Sequence, residues 1–105
     1  MGWRVKWTTQ AWNDVEEIAR FIARDSTRYA IVLQREAQAA ATSLRRFARR
    51  GRIVPERDDP RLRELIIGRS YRLIYRVASE NEIHIIAFIN SARDLDLFLR
   101  REDRI

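Results

Sequence analysis

The sequence predicts an α+β domain of two layers, a helical hairpin laid on one face of a four-stranded, mainly antiparallel sheet. Three observations predict it. From Ala11 to Phe47 apolar residues recur at spacings of three and four. Beyond Gly51 the period falls to two, and the joints between the later runs are short turns.

Taken in order, Trp3-Arg4-Val5-Lys6-Trp7 alternates apolar and basic residues, the pattern of a half-buried strand. Thr8 or Thr9 then caps a first helix, about Thr9–Arg24, with Asp14, Glu16 and Glu17 placed early to favour its dipole. Ala11, Val15, Ile18 and Ile22 form its buried stripe, widened by Trp12 and Ala19. Asp25-Ser26-Thr27 breaks the pattern and caps a second helix, about Arg28–Arg49. Its stripe is Ala30, Leu33, Ala37, Ala40 or Ala41, Leu44 and Phe47, small enough in the middle for close packing on the first helix. Gly51 is expected to supply a left-handed C-terminal cap. Ile53-Val54-Pro55 leads to a turn at Asp58-Asp59-Pro60, and strands follow at Leu62–Ile67, Tyr71–Val77 and Ile83–Ile89 as a meander. Asp94–Arg101 closes the chain as a short helix bearing Leu95, Phe98 and Leu99.

The chain has 105 residues, an average apolar fraction, three Gly and two Pro, as expected of one ordered domain, 1–105. The lack of cysteine excludes a disulfide framework, a thiolate zinc site and a cysteine nucleophile. No apolar run approaches the ~18 residues that span a bilayer. The first ten residues lack the apolar core of a secretory signal, so a cytoplasmic protein with no membrane partner is expected.

The net charge of +6 is unevenly placed. Arg45 to Arg76 holds eleven basic residues against four acids, and the rest of the chain is close to balanced. Arginine supplies nearly all of it, since Lys6 is the only lysine. A guanidinium forks onto phosphate and carboxylate alike, so the segment suits a nucleic acid or an acidic protein. A solvated helix end in an arginine-rich composition explains it equally.

The chemistry available is narrow. His84 is the only histidine and lies between Ile83 and Ile85, the setting of a satisfied strand residue rather than a ligand or a catalyst, and neither metal nor cofactor is expected. Glycines at 2, 51 and 68 are too scattered to cradle a phosphate. Asp58-Asp59 beside Pro60 reads as a turn. What remains is an arginine group. Arg72 and Arg76 share a strand face opposite Tyr71, Leu73 and Tyr75, which opens to solvent if the helices cover the tyrosines, and Arg63 joins them if the register allows. Either they grip a phosphate or carboxylate, or they solvate the outer face and pair with Glu64 or Glu82.

These residues resemble the ParE/RelE toxin superfamily. The resemblance is carried by Val54-Pro55-Glu56, Arg63-Glu64-Leu65, Gly68, Tyr71-Arg72-Leu73-Ile74-Tyr75-Arg76-Val77 and Asn90-Ser91-Ala92-Arg93-Asp94-Leu95. Val5 to Trp7, Ala11, Asp14, Ile18 and Ile22 match the family's start, so the likeness runs from about Val5 to Leu95, with the ParE-like branch favoured. It implies a β-α-α-β-β-β fold and the toxin of a type II toxin–antitoxin pair, a class associated with plasmid stabilisation, neutralised by direct binding of a cognate antitoxin. ParE-like members inhibit DNA gyrase. RelE-like members enter the ribosome and cleave messenger RNA, and the arginines of that chemistry fall on Arg72, Arg93 and Arg63. Its second basic position on the earlier strand falls on Leu65, and its C-terminal tyrosine has no counterpart, Phe98 and Leu99 standing there. Arginine is a poor proton donor or acceptor, which weakens the nuclease reading. Asn90 and Ser91 replace the family's histidine and glycine, marking either an altered target or a detoxified member.

The resemblance therefore implies a gyrase-inhibiting toxin. The alternatives are a RelE-like nuclease acting on ribosome-bound messenger RNA and a non-toxic basic module that binds RNA or protein through Arg45 to Arg76. Arg63, Arg72, Arg76 and Arg93 are the candidate contacts to target or phosphate. Trp12, Phe21, Tyr29 and Phe47 are the candidate antitoxin anchors, if they are not core, with Arg45 and Arg49 steering an acidic partner.

Overall fold

The computed structural model describes residues 2–101 and 103–104. The element order is β1 (Arg4–Trp7), α1 (Thr9–Ala23), α2 (Thr27–Ser43), β2 (Arg52–Ile53), β3 (Leu62–Ile67), β4 (Tyr71–Val77), β5 (Glu82–Asn90) and α3 (Leu95–Arg101). Both helix starts follow their capping chemistry. Thr8 Oγ1 accepts from the Ala11 N–H at 3.1 Å, and Ser26 Oγ accepts from the Tyr29 N–H at 3.1 Å.

The class is as predicted, α+β, but the sheet has five strands and is mixed, in the order β1-β5-β4-β3-β2. Arg52-Ile53 pairs with Glu64 and Arg63 as a short edge strand. At the other edge β1 runs parallel to β5, from Arg4 opposite Glu82 to Trp7 opposite Ile85. A period of two identifies a strand without naming its neighbour, so neither pairing was visible in the pattern.

The second face of the sheet is not open. One core lies under the hairpin, where Val15, Leu33, Ala37 and Leu44 meet Leu73, Tyr75, Ile85 and Phe88. A second lies on the opposite face, where Leu95, Phe98 and Leu99 of α3 cover Ile74, Ile86, Ala87 and Ile89. β5 is therefore buried on both sides, which is why its sequence is a continuous apolar run. An irregularity in its pairing with β4 skips Ile86 and turns Ile86 and Ala87 to the same face.

The second helix stops at Ser43, six residues before the predicted end at Arg49. The Leu44 and Arg45 N–H groups donate to Ala41 and Thr42, tightening the chain into turns that bury Leu44 and Ala48 and throw Phe47 outward. Gly51 is not a left-handed cap; among the described glycines only Gly68 has a positive φ, of 61°. Gly51 is required by proximity. A Cβ there would lie 2.6 Å from the Glu64 carbonyl oxygen and 2.7 Å from the Tyr75 hydroxyl. That hydroxyl accepts from the Gly51 N–H at 3.0 Å and donates to the Ala48 carbonyl at 2.9 Å, fastening the segment to the sheet. None of the helices among the described residues is long and apolar enough to cross a membrane.

Candidate functional site

The arginines singled out in the sequence do not converge. β4 alternates strictly, so Arg72 faces away from the hairpin as predicted, yet it is only 5% exposed. Its Nε donates to Glu64 Oε1 on β3 at 2.5 Å, and its two terminal nitrogens donate to Glu56 at 2.8 and 2.7 Å. Glu64 is itself buried, and its other oxygen accepts from Arg52 Nε on β2. The open, phosphate-ready position is thus corrected to the other reading, in which Arg72 pairs with Glu64. Arg72 holds the Glu56 carboxyl below its usual range, and the carboxylates, Glu56 foremost, raise the guanidinium pKa. Two cations and two carboxylates close on each other, and three of the five N–H groups of the buried Arg72 are spent on them.

Arg63 lies on the opposite face, directly across from Tyr75. Its guanidinium donates to the carbonyls of Pro60 at 2.8 Å, Gly51 at 2.9 Å and Arg49 at 3.3 Å, so it ties down the segment that follows α2. Arg76 shares the face of Arg72, half-buried between Leu62 and His84, and forms no ion pair among the described residues. Four residues along a strand separate the two by about 13 Å. Arg93 follows β5, exposed, with its guanidinium 4.6 Å from the centroid of Phe98.

His84 is half-buried, with Nε2 2.7 Å from Glu82, whose carboxylate also meets Arg4 at 3.3 Å and Lys6 at 3.6 Å. His84 foremost, then the two cations, lower the Glu82 pKa. Asp59 accepts from the Arg61 N–H at 2.9 Å, and Asn90 from the Ala92 N–H at 2.9 Å, both turn-forming bonds. Among the described residues no group of three His, Cys, Asp or Glu is placed to hold a metal.

The anchor candidates divide. Trp12 is half-buried and meets Trp7 edge-on at 5.4 Å, so it packs against β1. Phe21 (67% exposed) and Tyr29 (47%) lie near the joint of the hairpin, whereas Phe47 (63%) lies beyond the far end of α2, between exposed Arg45 and Arg49. About 25 Å of helix separates the two groups.

One constellation escaped the sequence reading. Asp14, expected to decorate the start of α1, is instead buried, accepting from the Phe88 N–H at 3.0 Å and from both terminal nitrogens of Arg104. Arg104 also donates to the Ile86 carbonyl at 2.9 Å, and its buried Nε has no partner among the described residues. β1 ends opposite Ile85, so this pair satisfies the β5 edge that β1 leaves bare. The signal was there: Asp14 falls at helical spacing with Ala11 and Ile18, on the stripe itself.

Comparison with known proteins follows the same lines. Residues 5–95 match the family described as the ParE toxin of the type II toxin–antitoxin system parDE. No curated protein matches the chain. Among solved structures, the chain resembles one from the chromosomal ParDE system of P. aeruginosa, at TM-score 0.67 and 22% identity, over 84% of this chain and 95% of that one. It also resembles a chain of the RelBE2 toxin–antitoxin complex of Mycobacterium tuberculosis, at TM-score 0.55 and 22% identity, over 89% and 95%.

Proposed function

The chain belongs to the ParE toxin family of type II toxin–antitoxin systems, and from that membership we propose that it inhibits DNA gyrase, cuts no messenger RNA, and is held inactive by direct binding of a cognate antitoxin. The observation that carries this reading is the state of Arg72. Cleavage through a ribose 2′-hydroxyl needs a group that exchanges a proton and a cation that meets the phosphorane charge. Arg72 is neutralised by Glu56 and Glu64, Arg63 is spent on backbone carbonyls, and neither tyrosine nor histidine stands near Arg93 in the sequence.

Two features support an antitoxin surface. On the edge of β3 away from β4, no strand pairs with Leu65 to Ile67 among the described residues, and Ile66 there is 51% exposed, a template for an added strand with an apolar foothold. On the hairpin, Ile31 lines a groove between α1 and α2 together with Ala19, Ala23 and Ala30, suited to an amphipathic helix.

The test is induced expression in a bacterium, with plasmid supercoiling and messenger-RNA integrity read in parallel. Loss of supercoiling with intact transcripts is expected. Ribosome-dependent cuts at defined codon positions, abolished by Arg72→Ala, would overturn it. Co-expression with the product of the adjacent gene should restore growth and yield a complex that survives purification at low salt.

A further inference from the structure

The far end of α2 carries a surface apart from the β3 edge and the hairpin groove, the two features that support an antitoxin surface. The turns after Ser43 project Arg45, Arg46 and Arg49 into solvent, and none of the three forms a hydrogen bond or ion pair through its side chain among the described contacts. Their neighbours along the chain are engaged: Arg50 donates to Ser43 Oγ, Arg52 to Glu64 and Arg57 to Asp96. Phe47 stands among the free cations at 63% exposure. The Trp3 N–H donates to the Arg45 carbonyl at 2.8 Å, which brings the half-buried indole to the same place. Trp3 lines two clefts, one of about 620 Å³ with Arg45, Arg46 and Phe47, the other of about 440 Å³ with Arg49 and Arg61. Glu80, in the second cleft, is the one carboxylate lining either.

We infer that this surface binds single-stranded nucleic acid, its phosphates on Arg45, Arg46 and Arg49 and a base stacked on Phe47. Free guanidiniums call for anions, and the local carboxylates are too few to supply them. The exposed ring separates the candidates. A duplex keeps its base faces inside the stack and has nothing to lay on Phe47, and an acidic peptide satisfies the cations without needing a flat apolar face. An unpaired strand offers both a phosphate row and bare bases. The inference does not depend on which cellular target the toxin inhibits.

The experiment is fluorescence anisotropy of a labelled oligo-dT of about twelve nucleotides with the purified protein, across a salt series. Neutralising three phosphates of a single strand predicts a slope of log K against log salt near −2, from about −0.7 per contact. The combined Arg45→Gln, Arg46→Gln, Arg49→Gln variant should flatten that slope and lose at least roughly tenfold in affinity. Phe47→Ala should weaken binding about fivefold to a hundredfold with the slope intact, since stacking carries no salt dependence. A duplex of the same length should bind more weakly and be indifferent to Phe47→Ala. Arg28→Gln at the start of α2 and Arg35→Gln at its middle, both exposed, should leave affinity within about twofold, and circular dichroism should show every variant folded. Absence of binding at low salt, or an unchanged affinity in Phe47→Ala, overturns the inference. So does displacement of the oligomer by poly-glutamate that binds tighter and depends on the same four residues, which would make the surface a protein site.

Discussion

Two arginine populations occupy this small domain, and carboxylates divide them. On the sheet face beneath α3, Arg72 and Arg52 share the buried Glu64, Arg72 also grips Glu56, and Arg57 meets Asp96 at 2.7 Å. Beyond the end of α2, Arg45, Arg46 and Arg49 have no such partners among the described residues. The residue type is the same and the charge is the same. Between these two groups, what differs is whether a strand register or a turn brings a carboxylate within reach, and that decides whether these arginines serve the fold or are free to meet a ligand.

The comparison breaks most easily at Glu64. Glu64→Ala leaves the buried Arg72 Nε–H without its acceptor and should cost about 3 kcal/mol in urea unfolding, the low end for a broken buried pair because Glu56 still holds Arg72 and Arg52 can turn to water. A loss below about 1 kcal/mol would mean that Arg72 reaches solvent and is available after all. Tyr75→Phe comes next. It leaves the Ala48 carbonyl and the Gly51 N–H without their shared partner, at about 1–3 kcal/mol. Burial raises the Tyr75 pKa, so the stability it confers is whole below its ordinary value near 10 and fades as pH climbs through the raised one. The alkaline limb of a stability–pH curve should therefore flatten in Tyr75→Phe.

Smaller effects sharpen the contrast. Arg72 lowers the Glu56 pKa, so that carboxylate contributes stability above its unfolded value near 4.5, lost as pH falls through the folded one. Glu56 is partly exposed, and Glu56→Gln should cost under about 1 kcal/mol at neutral pH, the gap to the parent closing as pH falls below the ordinary carboxylate value. At the other arginine population, replacing Arg45, Arg46 and Arg49 together by Gln should move unfolding by less than about 0.5 kcal/mol. A larger loss there would show that those side chains support the fold.

The division between the two populations also marks where the sequence was legible. Local pattern identified both helices, a cap at Thr8 or Thr9 and another within Asp25-Ser26-Thr27, the three meander strands and the terminal helix, because each depends on residues close in sequence. Resemblance identified the family from short motifs in order. The parallel pairing of β1 with β5, the second core and the fate of Arg72 all depend on contacts between distant segments. Nothing in Tyr71–Val77 says that Glu56, in a turn well upstream, will fold back over Arg72. Phe47 shows the same limit: by spacing it belonged to the buried stripe, and it is exposed only because α2 ends at Ser43, where the chain turns so that Gly51 can pass beneath Tyr75.

The parallel pairing of β1 with β5 has a consequence for synthesis. Arg4 emerges from the ribosome well before its partner strand, which begins at Glu82, so the first strand waits through the synthesis of both helices and three further strands for its place in the sheet. The hairpin of α1 and α2 can form from local contacts meanwhile, but the face it must bury is completed only when β5 arrives. Until then Val15, Leu33 and Leu44 have no sheet to cover them, and the nascent chain is held together by its most local structure alone. A partner able to shield that hairpin would meet the toxin before the toxin is finished.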